Sequence, residues 1–118
     1  MRYLLLIYGD ESKYADLSEG EMQADFQRWM EYTESITSAG ANQGSAALQP
    51  TSTATSVRDD DGKPMVTDGP FAETREQLAG YYLLDVENLD EAIKWAHRCP
   101  WSTFGTIELR PIQEFERD

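Results

Sequence analysis

Asp68 is the side chain whose neighbours best equip it for chemistry. It begins the run Asp-Gly-Pro-Phe, which ends at Phe71 and comes shortly before a long apolar segment. A carboxylate held beside an aromatic ring in an apolar pocket has a raised pKa, which suits a general acid or base. The alternative is structural, because an aspartate before glycine and proline also accepts hydrogen bonds from the backbone of a turn. Both interpretations stay open at this point.

Three aromatic residues and one arginine near this run could contact a ligand. Phe71 is a candidate wall of the pocket, or a core residue. Tyr81 and Tyr82 are neighbours on a predicted strand, so they point to opposite faces, and the inward one could donate its phenolic proton. The alternative for that tyrosine is a packed ring with its hydroxyl at the rim. Arg58 could attract an anionic ligand, or could lie on a solvated rim in ion pairs with nearby acids.

The sequence predicts neither a metal site nor a bound cofactor. His97, the only histidine, lies beside the apolar stripe of a predicted helix, which indicates a surface or boundary position. Cys99, the only cysteine, has no base near it in sequence and is typical of a small buried hydrophobe. The acidic run 59–62 lacks the alternating ligands and the terminal glutamate of a calcium loop. The sequence contains no phosphate-binding loop and no nucleophile elbow.

Composition narrows the class of protein. The 118 residues suit one domain spanning 1–118, and 40% hydrophobic with 27% charged residues is ordinary globular composition. The net charge of −12 argues against nucleic acid and against an anionic membrane, because both attract a basic surface. One cysteine cannot form an intrachain disulfide, and the sequence has neither a signal peptide nor a membrane span. We therefore expect a cytoplasmic protein.

Hydrophobic periodicity and turn signals predict the elements that must position these residues. In chain order they are a strand Tyr3–Tyr8, a helix from Ser18 to Gly40, one or two short strands within 43–58, a hairpin of Thr53–Arg58 with Met65–Thr67, a strand Leu78–Val86, a helix from Asn88 to Pro100, and a strand Thr106–Ile112. The first strand is apolar throughout, so we expect it to be central and buried on both faces. Two split βαβ halves with right-handed crossovers give an α+β, ferredoxin-like sandwich with two helices on one face of an antiparallel sheet. The uncovered face predicts a homodimer.

The two predicted helices have clear starting signals and apolar stripes. Ser18 and Glu21 form a capping box, Gly40 is a natural C-terminal cap, and Asn88 opens the second helix in the same way as Ser18 opens the first. The stripe of the first helix comprises Met22, Phe26, Trp29, Thr33 and Ile36, and that of the second comprises Leu89, Ala92, Ile93 and Ala96.

Four segments carry a resemblance to a known family. "VTDGPFAETREQLAGYYLLDV", "LDEAIKWAHRCP" and "GTIELRPI", with "STATSVRDDDGKPMVTDGPF" upstream, closely resemble the DGPF group of YCII-related proteins over nearly the whole chain. The resemblance implies a dimeric α/β barrel, in which two ferredoxin-like protomers face each other across their sheets.

The resemblance also implies a candidate chemistry that this sequence does not fully carry. The wider superfamily is thought to use a histidine near the first helix together with an aspartate in the sheet, and one relative is regarded as a dehydrochlorinase of chlorinated hydroxyquinols. Here Met22 lies roughly where that histidine would be, and His97 lies in the second helix. We therefore predict that the side chains of His97 and Asp68 lie far apart, well beyond roughly 8 Å, which is several times hydrogen-bond reach.

Two functions of different classes follow. The first is a small-molecule site beside the DGPF motif, binding or slowly transforming a compact, aromatic or hydroxylated compound by acid/base chemistry without a cofactor. The second is a non-catalytic regulatory or interaction protein. DGPF members are commonly encoded beside extracytoplasmic-function sigma factors, so the resemblance suggests such a factor as its partner.

Overall fold

A computed structural model describes residues 1–115 of the chain. Its helices and strands are β1 (Arg2–Gly9), α1 (Glu11–Ala15), α2 (Glu19–Ser38), β2 (Asn42–Ala47), β3 (Thr55–Asp60), β4 (Lys63–Asp68), β5 (Gln77–Asp85), α3 (Leu89–Arg98) and β6 (Thr106–Pro111). Four strands form one sheet in the order β2-β5-β1-β6, and every neighbouring pair is antiparallel. This arrangement confirms the predicted α+β, ferredoxin-like fold. The short helix α1 was not among the predicted elements.

Helix α2 begins and ends at the predicted signals. The hydroxyl of Ser18 accepts a hydrogen bond from the Glu21 backbone, and the Glu21 carboxylate accepts one from the Ser18 backbone. At the other end Gly40 adopts φ 76°, and the following amide, of Ala41, donates to the Ile36 carbonyl. That six-residue closure is a Schellman motif, which favours glycine because of its positive φ. Neither α2 nor any other helix in residues 1–115 is long and apolar enough to cross a membrane.

The prediction that β1 is buried on both faces is wrong for the protomer. Tyr3, Leu5 and Ile7 are buried against the helices, whereas the alternate residues between them are only half-buried. Strand β5 continues the same division, with Tyr82 buried and Tyr81 half-buried. We call the side away from the helices the open face; it carries Leu4, Leu6, Tyr8, Leu78, Tyr81 and Leu83, with Glu108 and Arg110 of β6 beside them. An apolar run in a central strand therefore identifies a face that one protomer leaves uncovered.

The buried helix faces include the predicted Ile36 and Ala92, with Trp29 and Ala96 packed against the core, but they are rotated from the predicted stripes. The fully buried residues of α2 are Asp25, Tyr32 and Ile36, whereas Phe26 is 65% exposed. Helix α3 buries Ala92 and Trp95 and exposes Leu89 and Ile93. The rotation brings Tyr32 to α3, where its hydroxyl donates to the Trp95 carbonyl at 2.7 Å. The two helices thus contact each other as well as the sheet, and some of their apolar side chains do not reach the sheet.

Strands β3 and β4 form a separate hairpin, which we call the arm (residues 55–68). Their register places Asp60 opposite Lys63, and the two turn residues, Asp61 and Gly62, have φ 51° and 86°. Positive φ at both positions is the signature of a type I′ turn. Almost every arm residue is exposed, and the radius of gyration is 16.5 Å, compared with about 13.5 Å expected for a compact chain of this length. The arm therefore projects from the protomer.

Candidate functional site

A cleft of about 710 Å³ lies on the helix side of the sheet, between α1, α2 and the strands β2 and β5. Its lining residues are Glu11, Tyr14 and Ala15 of α1, Asp25, Phe26, Trp29, Met30 and Thr33 of α2, Ser45 to Pro50 from β2 and its following turn, Ala79 to Tyr82 of β5, and Ile7 and Trp101. Most of these side chains are apolar or aromatic. A pocket of this size and character, with a few polar groups, is typical of small-molecule sites.

Four aromatic rings form a connected wall of the cleft. Trp29 stacks on Tyr82 with 6.5 Å between ring centroids and 13° between planes, and it meets Trp101 edge-on at 5.9 Å. Tyr14 of α1 extends the wall, with its ring 5.6 Å from that of Trp101. Gly9 makes room for the wall, because a β-carbon at this position would lie 2.6 Å from a ring carbon of Trp101. The rings hold one another in place, so the wall is preformed.

A pair of hydroxyl groups supplies polar character at the floor of the cleft. The Thr33 hydroxyl and the Tyr82 hydroxyl lie 2.6 Å apart, and either can donate. Burial raises the pKa of Tyr82 above its ordinary value, and the hydrogen bond from Thr33 opposes that rise. The phenol is therefore neutral at physiological pH, and it can both donate and accept.

Asp25 is the buried carboxylate of the cleft, with 3% of its surface exposed. Its Oδ1 accepts from the Trp101 indole nitrogen at 3.1 Å and from the Arg28 guanidinium at 3.4 Å. No side chain in residues 1–115 donates to its Oδ2, although Asp25 lines the cleft. No fully buried side-chain oxygen in residues 1–115 lacks a hydrogen-bond partner, so the unpartnered Oδ2 is reached by solvent and is available to a ligand.

Asp25 and Trp101 were not among the residues that the sequence indicated, although helix α2 carries a signal for Asp25. Asp25, Trp29, Tyr32 and Ile36 recur at i, i+4, i+7 and i+11, so they share one helical face. A carboxylate on an otherwise apolar face indicates a buried polar partner. That partner, Trp101, is 76 residues away, and nothing in the local pattern identifies it.

The structure separates the residues that the sequence grouped as a site. Tyr82 points to the helix side of the sheet and Tyr81 points to the open face, as predicted. Both residues border the cleft. Asp68 is the last residue of β4 and is exposed, Phe71 is 79% exposed, and Arg58 is exposed on β3. None of these three lines the cleft of its own protomer.

The turn after the arm is closed by a residue other than Asp68. Gly69 has φ 99°, its amide donates to the Ala54 carbonyl at 2.6 Å, and its carbonyl accepts from the Ser56 hydroxyl at 2.7 Å. No hydrogen bond of the Asp68 side chain is found in the described part of the chain. The turn therefore depends on glycine and on Ser56, and the Asp68 carboxylate is left facing solvent.

His97 and Cys99 lie where the sequence placed them. His97 is exposed in the last turn of α3, and within residues 1–115 no hydrogen bond joins it to Asp68. Cys99 is 1% exposed, and burial raises the pKa of its thiol to about 12. The thiol is therefore protonated at neutral pH and is a poor nucleophile.

Comparison with known proteins identifies the family of this chain. The model of the YCII-related domain matches residues 1–116. The chain is similar to the uncharacterised protein R00369 of Rhizobium meliloti (strain 1021), with 37% identity over 114 residues, covering 95% of this chain and 92% of that protein. The family match extends over α1, α2, β2 and β5, so it includes the elements that line the cleft.

Proposed function

The chain belongs to the YCII-related family, and from that premise we propose that it is a homodimeric protein that binds a small molecule in the helix-side cleft. The observation that carries the binding proposal is the cleft itself. It combines about 710 Å³ of largely apolar space with a buried carboxylate, Asp25, and the hydroxyl pair of Thr33 and Tyr82. Convergent polar groups in an aromatic pocket fix the orientation of a compact ligand.

A second depression of about 680 Å³ makes a weaker candidate. It lies near the N-terminus, between Met1, Asp85 and Trp95. The N-terminal ammonium already donates to the Val86 carbonyl at 2.6 Å and lies 3.7 Å from Asp85. The N-terminal ammonium and Asp85 are therefore already paired with each other, whereas Asp25 keeps a carboxylate oxygen for a ligand.

The dimer proposal rests on the open face and on the arm. The open face presents half-buried leucines and Tyr81 that the helices of the same protomer do not cover. The arm exposes Val57, Met65 and Val66 by half or more of their surface. Apolar area of this extent is costly in water. A second copy packed on the open face covers it by two-fold symmetry, with an interface on the order of 2,000 Å² or more.

An acid/base role for Asp68 stays a prediction, and it requires the dimer. Asp68 lies at the base of the arm, opposite Thr55, and outside the cleft of its own protomer. The arm of one copy would have to reach the cleft of the other for the carboxylate to act there. Catalysis is thus a property of the assembly in this proposal, whereas binding needs only the cleft.

A neutral fluorescent probe tests the binding proposal directly. N-phenyl-1-naphthylamine should bind with one site per protomer and gain fluorescence as its rings enter the cleft. Phe26→Ala should weaken this binding about 5- to 30-fold, since a buried aromatic contact contributes about 1–2 kcal/mol. Because Phe26 is 65% exposed in the free protein, its loss should leave stability nearly unchanged.

The matched control is Phe115→Ala, which removes a ring that is 79% exposed and lies outside the cleft lining. Its affinity for the probe should equal that of the unaltered protein. Equal affinity in Phe26→Ala, or no binding at all, would contradict the proposed site.

A further inference from the structure

The charged side chains that line the cleft are both acids. They are Glu11 and Asp25, and no lysine or arginine lines the cleft in the part of the chain that the structure describes. The net charge of −12 over the whole chain adds a negative potential at longer range. Electrostatics around the cleft therefore favours a positive ligand over a negative one.

The two acids differ in what they can still accept. Both carboxylate oxygens of Glu11 accept from Thr51, from its amide and from its hydroxyl, each at 2.8 Å. Asp25 uses only Oδ1, for Trp101 and Arg28. Arg28 is a weak counterion, because it is about half exposed and reaches Oδ1 only at 3.4 Å. The charge of Asp25 is therefore incompletely compensated at Oδ2.

The aromatic wall of the cleft also favours a cation. The ring faces of tryptophan and tyrosine carry negative electrostatic potential, so they attract cations that lie over them. This chain already uses that contact outside the cleft, where the Arg98 guanidinium carbon lies 4.4 Å from the centre of the Trp95 ring. In the cleft Trp29 and Trp101 line the same space as Asp25, and the indole N–H of Trp101 donates a hydrogen bond to the Asp25 carboxylate.

We propose that the cleft selects organic cations, namely substituted or quaternary ammonium groups carried on a small apolar or aromatic body. The ammonium group lies near Asp25 and against the ring of Trp29, and the body occupies the apolar space toward Phe26 and Met30. This inference rests on the proposed binding function and adds the charge of the ligand to it.

Three probes of one shape test the charge. Phenyltrimethylammonium, tert-butylbenzene and benzenesulfonate each carry a tetrahedral group on a phenyl ring, and they differ in being positive, neutral and negative. Each is titrated against N-phenyl-1-naphthylamine in the cleft, and displacement gives its affinity. The cation should bind about tenfold more tightly than the neutral probe, since a desolvated cation–π contact contributes at about this level. Benzenesulfonate should not compete.

Variants identify the group responsible. Asp25→Asn keeps an oxygen to accept from Trp101 and removes the charge. It should weaken binding of the cation about tenfold and leave the affinity for tert-butylbenzene unchanged. Arg28→Gln removes the positive charge that competes with the ligand for Asp25, so it should strengthen binding of the cation severalfold. Glu34→Gln, an exposed position on α2 outside the cleft lining, makes the same charge change as Asp25→Asn and should alter neither probe.

The outcomes separate this inference from the proposed function. Equal or tighter binding of tert-butylbenzene overturns the preference for cations and leaves the cleft as a binding site. Failure of all three probes, together with failure of the naphthylamine, overturns the proposed function. If Asp25→Asn does not fold, the three probes on the unaltered protein and on Arg28→Gln still decide the question.

Discussion

The hydroxyl pair at the floor of the cleft can be tested by a double-mutant cycle. Thr33→Val and Tyr82→Phe each remove one hydroxyl while keeping nearly the same shape, and the two oxygens lie 2.6 Å apart. A neutral side-chain hydrogen bond contributes about 1 kcal/mol to the free energy of unfolding, and an unpaired buried hydroxyl costs about 1–3 kcal/mol. The two substitutions should therefore be strongly non-additive.

The expected values follow from the burial of each partner. Tyr82 is 6% exposed, so Thr33→Val leaves a buried phenol without its partner and should lower the free energy of unfolding by about 1–2 kcal/mol. Tyr82→Phe should cost less, about 1 kcal/mol, because the half-buried Thr33 can bond a carbonyl of its own helix. In the double variant no hydroxyl is left unpaired, so the coupling energy should be about 1 kcal/mol.

Urea unfolding followed by tryptophan fluorescence measures the cycle, because Trp29 stacks on Tyr82. All variants are compared at one protomer concentration, since a dimer makes stability depend on concentration. Tyr32→Phe is the matched control, because the Tyr32 hydroxyl bonds the Trp95 carbonyl instead of Thr33. The effects of Tyr32→Phe and Thr33→Val on the free energy of unfolding should be additive. A coupling energy of less than about 0.3 kcal/mol between Thr33 and Tyr82 would refute the pairing.

Three further predictions concern the dimer, the buried thiol and the arm. Leu83→Lys on the open face should convert the dimer, of twice 13.4 kDa, to a monomer in sedimentation. Ile93→Lys on the exposed side of α3 is the control and should leave the dimer intact. If the unaltered protein sediments as a monomer, the dimer proposal is contradicted. Burial raises the pKa of Cys99 in the folded state, so the stability that the neutral thiol contributes is full below pH 9 and is lost as pH rises from 9 to 12. Cys99→Val should therefore lose less stability than the unaltered protein over that range. Parallel curves of unfolding free energy against pH for the two proteins would refute this. Asp68→Asn should change the free energy of unfolding by about 0.5 kcal/mol or less, since the carboxylate is exposed, and a larger loss in chemical denaturation would show a structural role.

Local signals in the sequence were sufficient to predict most of the fold. The capping box at Ser18 and the cap at Gly40 act within one helical turn, so their effect can be read without tertiary information. The alternation of Tyr81 and Tyr82 follows from strand geometry alone. The predicted hairpin is also present, although it is longer than expected, with a two-residue turn at 61–62.

The cleft could not be predicted because it depends on contacts between distant elements. Helix α2 turns Asp25 inward and leaves Phe26 outside because Trp101 and α3 meet the face that carries Asp25. An apolar count along α2 cannot detect this, since Phe26 is the more apolar of the two. The arm poses the same difficulty, because a pattern that predicts a hairpin does not say whether the hairpin packs on its own sheet. Asp68 was therefore assigned to a pocket that its own protomer does not provide.

The two neighbouring tyrosines of β5 show how one strand can serve two functions. Tyr82 contributes its hydroxyl to the helix-side cleft, whereas Tyr81 also belongs to the open face that we assign to the dimer. Because adjacent residues of a strand point to opposite sides, a substitution on the open face changes the surface for a second copy without moving the groups beside Asp25. The Leu83→Lys monomer should therefore keep its affinity for N-phenyl-1-naphthylamine within about twofold, since effects at independent sites add within about 0.3–0.5 kcal/mol. Loss of probe binding in that monomer, with its fold intact by circular dichroism, would show instead that the second copy completes the cleft.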